Sequence, residues 1–128
     1  LVHYLKKNAV KNIVQSVPMA TEGAKRAELT YKVIEEVQSY ALVKINLLTG
    51  RPHQIRAQMA TIGHPVFGDA KYGAEEKTHK FNLALWAAEI KFEHPVTHER
   101  MAFRVYPPKD VSPWKAFDIS RHLNINNY

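Results

Sequence analysis

Apolar and polar side chains alternate through residues 27–37, with Ala27, Leu29, Tyr31, Val33 and Glu35 on one side and Glu28, Thr30, Lys32, Ile34 and Glu36 on the other. A period of two with β-branched and aromatic members predicts a strand with one drier face. Gln38-Ser39 separates it from residues 40–48, where Val43, Ile45 and Leu47 alternate with Leu42, Lys44 and Asn46. The pair predicts an antiparallel hairpin, although Gln-Ser is a weak turn signal. Residues 12–17 read as a shorter strand, and 18–25 as a loop broken by Pro18 and Gly23.

The period then changes. Ile55, Met59 and Ile62 share one face at helical spacing, while His53, Arg56, Ala57 and Ala60 lie opposite. Pro52 suits a first helical position and Gly63 the residue past the last turn. The spacing predicts a helix that packs through Ile55, Met59 and Ile62. Residues 63–73 hold three glycines, Gly63, Gly68 and Gly73, and so read as a sharply bent loop. A polar stretch at 75–80 leads to two further predicted strands, 83–92 and 101–106, joined through 94–100. Pro107-Pro108 ends the second, and 114–123 reads as a short helix. Strands predominate without regular strand–helix alternation. The expected class is α+β, a predominantly antiparallel or mixed sheet with a few flanking helices.

The 128 residues form one domain or part of a larger one, with no repeat or internal linker, and an apolar fraction of 45% is enough for a core. No apolar run reaches the roughly 20 residues of a membrane span. The absence of cysteine excludes disulfides and thiolate metal sites, and fits a reducing cytoplasm. Seven histidines are present, but no spacing sets two on one helical face beside a carboxylate, so no metal site is expected. The first residues lack both an initiator methionine and a signal-peptide pattern, which suggests a start inside a longer protein. A formal net charge of +6 points to a polyanionic partner.

Chemistry concentrates in residues 47–73. A strand passes through Thr49-Gly50 into a helix start carrying Arg51, His53, Gln54 and Arg56, and Lys71 and Tyr72 follow on the glycine-bent loop. A helix start offers free N–H groups and a positive dipole end, and the arginines add forked cations. This combination predicts an anion site without naming the anion. Asp69 is expected to bond backbone N–H groups within its own loop.

The run Leu48-Thr49-Gly50-Arg51-Pro52-His53-Gln54-Ile55-Arg56, followed by Ile62-Gly63-His64-Pro65 and Gly68-Asp69-Ala70-Lys71-Tyr72-Gly73, resembles the signature of RluA-type RNA pseudouridine synthases. The likeness reaches outward through residues 27–31 and the His94-Pro95 turn, to about Pro108. Two departures stand out: Pro52 occupies the place of the usual Thr or Ser, and Ala57-Gln58 that of Val-His.

The resemblance implies a reaction on uridine in ribosomal or transfer RNA. The base is extruded from its stack, an ionised aspartate helps cleave the glycosidic bond, and the uracil rejoins through carbon 5. It implies no cofactor and no metal. Arg56 matches the active-site arginine that pairs with that aspartate, and a guanidinium there keeps a pocketed carboxylate ionised. Arg51, His53, Gln54, Lys71 and Tyr72 become candidate RNA contacts. The family's His-Arg-Leu-Asp segment and its base-stacking tyrosine do not occur in this sequence, and Asp69, Asp110 and Asp118 stand in other contexts.

The expectation is therefore that residues 1–128 are the C-terminal portion of a catalytic domain, inactive alone, which self-associates or needs the missing half. Two rival readings stay open: a non-catalytic RNA-binding module, and a soluble α+β domain acting through protein contacts.

Overall fold

A computed structural model of the chain describes residues 1–73 and 81–123. Two units divide it, Leu1–Ala84 and Leu85–Tyr128. The polar stretch expected at 75–80 lies outside the described residues.

The first unit is built on four antiparallel strands, β1 (Val2–Asn8), β2 (Ile13–Val17), β3 (Lys25–Val37) and β4 (Tyr40–Leu47), in the order β2-β1-β3-β4. The hairpin β3–β4 follows the alternation in the sequence, pairing Leu29 with Leu47, Tyr31 with Ile45 and Val33 with Val43. Its register shifts between Val33 and Glu35, so Ile34 is accommodated as a bulge. Gln38 takes a left-handed φ of 54°, which lets an unpromising Gln-Ser pair close the turn. Strand β1 was not foreseen. Asn8 ends it by accepting the N–H groups of Val10 and Lys11 on its side-chain oxygen, a local turn that sends the chain back as β2.

Helix α1 (Gln54–Thr61) corrects the expected packing. It starts after Pro52 rather than at it, because His53 is left-handed at φ 53°. The buried face comprises Gln54, Ala57, Gln58 and Met59, whereas Ile55 and Ile62 are half-buried. Ala57 belongs to the core with Leu5 and Ala27, and Val14 and Tyr72 pack against it.

Glutamines can face a sheet here because backbone groups receive them. The Gln54 Nε2 donates to the Glu28 carbonyl at 3.1 Å, and its Oε1 accepts from Thr49 Oγ1 at 2.8 Å and the Arg51 N–H at 2.9 Å. The Gln58 amide nitrogen lies 2.9 Å from His3 Nδ1 and 3.3 Å from both the Leu1 and Ala27 carbonyls. Three acceptors around one atom fix the amide orientation, since a flipped group would set oxygen against carbonyls.

The drier face of β3 is dry only in its first half. Ala27 and Leu29 are buried, but Tyr31 and Val33 further along are 45% and 43% exposed.

The second unit holds β5 (Glu89–Glu93) and β6 (Arg100–Arg104), an antiparallel pair. The strand expected over 83–92 is thus shorter and shifted, because residues 83–88 have no ladder partner among the described residues. His94 closes the turn: its Nδ1 accepts the N–H groups of Val96 and Thr97, both at 3.1 Å. The helix expected over 114–123 is broken in two, a 3-10 turn at Trp114–Ala116 and α2 at Ile119–His122. Phe117 is extended between them, and the Asp118 side chain caps α2 through the Arg121 N–H. Antiparallel sheets with few helices make the α+β class.

Candidate functional site

Strand β4 delivers the chain to the site through a polar knot. The Leu48 and Thr49 N–H groups both donate to the Glu28 carbonyl, and the Glu28 N–H donates to Thr49 Oγ1 at 2.8 Å. Together with the Gln54 amide, these bonds fix where α1 begins relative to β3. Arg56 then projects from the first turn.

Its guanidinium forms a two-pronged pair with Asp69, Nε to Oδ2 at 2.9 Å and Nη2 to Oδ1 at 2.8 Å. The Arg56 side chain is 19% exposed and that of Asp69 0%. Asp69 also accepts the N–H groups of Lys71 and Tyr72, the local bonding read from the sequence. Burial acts to raise the Asp69 carboxyl. The Arg56 guanidinium and the two N–H groups outweigh it and hold the group below the usual aspartate range. The carboxylate in turn raises Arg56 further above its ordinary value.

Tyr72 joins three elements. Its ring lies 5.0 Å beneath the Arg56 guanidinium carbon. Its hydroxyl accepts the Val14 N–H of β2 at 2.9 Å and sits 2.8 Å from His53 Nδ1 at the head of α1. Loss of solvation lowers the His53 pKa, as do the positive charges of Arg56, Lys71 and Lys7, with Asp69 acting the other way.

The bend carrying Asp69 and Tyr72 requires Gly68, whose φ is 79° and whose missing side chain leaves room for the Asn82 carbonyl.

Arg56, His53, Lys71 and Tyr72, separate in sequence, are thus gathered into one cationic cluster. Gln54 and Arg51 are not. Gln54, expected at the nucleic-acid surface, is only 3% exposed and its amide is engaged internally. Arg51 turns back to β3, donating from Nε to the Arg26 carbonyl at 2.9 Å. Lys7 was missed, because it lies on the unforeseen β1, in register with Val14. Val and Tyr at positions 2 and 4, followed by Asn at 8 and 12, were the signals available for that strand and its turn. Among the described residues no group of three or more His, Cys, Asp or Glu is arranged to hold a metal. No described helix is long and apolar enough to cross a membrane.

Comparison with known proteins gives a consistent result. The family model described as RNA pseudouridylate synthase matches residues 1–61. An uncharacterised RNA pseudouridine synthase of Bacillus subtilis, YlyB, is 42% identical over 99 residues, covering 77% of this chain and 32% of that protein. The ribosomal large subunit pseudouridine synthase D of Vibrio cholerae is 36% identical over 119 residues, covering 82% of this chain and 36% of that protein. Among solved structures, human RNA pseudouridylate synthase domain containing 1 aligns with a TM-score of 0.70 at 23% identity, over 90% of this chain and 50% of that one, which shows a shared fold. The chain spans about a third of the length of the curated relatives it matches.

Proposed function

Because the chain belongs to the RluA-type RNA pseudouridine synthase family, we propose that the protein containing it isomerises uridine to pseudouridine in ribosomal or transfer RNA, in the cytoplasm. Residues 1–128 are then the C-terminal portion of its catalytic domain. The reading rests above all on the setting of Arg56. Its Nε and Nη2 are engaged by Asp69, while Nη1 has no hydrogen bond among the described residues. A second carboxylate can therefore approach Nη1 without displacing the first, and the guanidinium would keep it ionised beside an uncharged base.

Asp69 is not that second carboxylate. It is fully buried and accepts four hydrogen bonds, which leaves nothing to offer a sugar or a base. Asp110 and Asp118 are exposed, and Asp118 caps a helix in the other unit. The reacting aspartate then comes from polypeptide outside these residues. Tyr31, Val33 and Leu47, exposed on one apolar face of β3–β4, suit burial by that polypeptide or by a second copy. Lys7, Lys71 and His53 border the path of the RNA backbone.

The test is release of tritium from carbon 5 of uridine in RNA. The full-length protein releases it, and residues 1–128 alone do not. Release by residues 1–128 alone, or none by the full-length protein, overturns the proposal. RNA binding without release would favour a non-catalytic binding module.

A further inference from the structure

Tyr72 stands where its hydroxyl has two protein neighbours and one proton. The Val14 N–H, fixed in the β1–β2 ladder, donates to the oxygen at 2.9 Å. The second neighbour, His53 Nδ1 at 2.8 Å, can either receive the hydroxyl proton or donate a proton of its own. If Nδ1 donated, the phenolic proton would have no protein acceptor among the described residues and would be left to solvent. If Nδ1 accepts, every group is satisfied, and the imidazole carries its proton on Nε2. Burial disfavours a charged imidazole, as do Arg56 on α1, Lys71 on the loop and Lys7 on β1, against Asp69 alone acting the other way, so one ring nitrogen is left to accept.

We infer that Tyr72 is a positioning residue: its hydroxyl, oriented by the Val14 N–H, fixes His53 as the neutral Nε2–H tautomer and presents that N–H outward to a phosphate oxygen of the nucleic acid. The inference rests on the proposed function for its ligand, but not for its geometry. His53 is itself exposed, and its left-handed backbone at φ 53° sets the ring ahead of the first turn of α1, perpendicular to the Tyr72 ring. The site thereby offers a directed neutral donor among Lys7, Lys71 and Arg56. The cations attract the backbone, and a hydrogen bond of set direction adds a contact that selects one oxygen.

Nitrogen-15 NMR of histidine-labelled full-length protein reads the tautomer directly. His53, assigned by its loss in His53→Ala, is expected as a single Nε2–H species in the native protein. In Tyr72→Phe it becomes a mixture of tautomers. Binding to polyuridylate RNA is expected to weaken about three- to tenfold in Tyr72→Phe, by loss of one oriented hydrogen bond. In the double variant with His53→Ala it is no weaker than in His53→Ala alone. A native Nδ1–H species, an unchanged tautomer in Tyr72→Phe, or additive losses in the double variant each overturn the inference. Absence of RNA binding by the native protein overturns the proposed function instead, and the tautomer then decides the role of Tyr72 by itself.

Discussion

Removing the carboxylate of Asp69 tests the pair that fixes Arg56. In Asp69→Ala the guanidinium loses both prongs at 2.9 and 2.8 Å, and the Lys71 and Tyr72 N–H groups lose their acceptor. Taking one partner from a buried pair costs about 3–5 kcal/mol. Arg56 retains 19% exposure, so water recovers part of this and the expected loss lies near the lower end, about 3 kcal/mol. Against a typical domain stability of about 5–15 kcal/mol that is a large fraction. Urea slopes of about 1–3 kcal/mol per molar turn it into a midpoint lower by about 1–3 M, followed by far-UV circular dichroism. Arg56→Met is expected to cost about as much, because it strands a carboxylate with 0% exposure. Replacing both partners by apolar residues strands neither charge, so the double variant Arg56→Met, Asp69→Leu costs clearly less than the sum. A loss below about 1 kcal/mol in Asp69→Ala, the scale of an exposed pair, would refute the reasoning. So would strict additivity.

The same pair sets an acid limit. Because the folded state holds Asp69 below the usual aspartate range, the unfolded chain binds more protons in that region, so stability rises with pH there. The contribution is complete above the ordinary aspartate value and is lost as pH falls through the folded-state one. Unfolding curves across the acid range check this, and Asp69→Asn flattens the dependence. Gly68→Ala combines a left-handed backbone with overlap of the Asn82 carbonyl. A destabilisation of at least about 1–3 kcal/mol follows, read as a lower Tm. Lys71→Ala is expected to reduce the slope of log affinity for single-stranded RNA against log salt by about 0.7, the contribution of one phosphate contact. An unchanged slope would remove Lys71 from the RNA path.

What could be read from the sequence divides by the range of the interactions involved. The β3–β4 hairpin joins neighbouring segments, so the alternation of Ala27, Leu29, Tyr31 and Val33 with Val43, Ile45 and Leu47 carries its own register. Strand β1 pairs locally with β2 across the Asn8 turn, but its other neighbour, β3, is distant in the chain. It lies between β2 and β3, and nothing in residues 2–8 specifies that Val2 will pair with Glu28. The helix was found from its period, yet its buried face was misread because Gln54 and Gln58 look like solvent residues. Their acceptors, the carbonyls of Glu28 and Ala27, lie 26 and 31 residues away in the chain. Arg56 was identified as the central cation, and Asp69 as a local turn acceptor. That one carboxylate does both jobs depends on the bend at Gly68, which brings together residues 13 apart.

The same polar interface explains how a small helix can hold a functional cation. Apolar packing is non-directional, and an eight-residue helix resting on leucines would be free to slide by fractions of an ångström. A site needs its groups held within about 0.5 Å. In α1 the position is set by Gln54 and Gln58 reaching backbone groups of β3, and by Ala57, small enough to let helix and sheet approach over Leu5 and Ala27. These bonds add only about 0.5–1.5 kcal/mol each to stability, but they carry direction, which apolar contacts lack. The Gln58 Oε1 is left without a partner among the described residues, a cost accepted to place the amide nitrogen among three acceptors. Arg56, two residues from Gln54 and Gln58 alike, inherits that placement. Asp69 and Tyr72 then hold it from the glycine-bent loop, so the guanidinium is fixed by two separate segments.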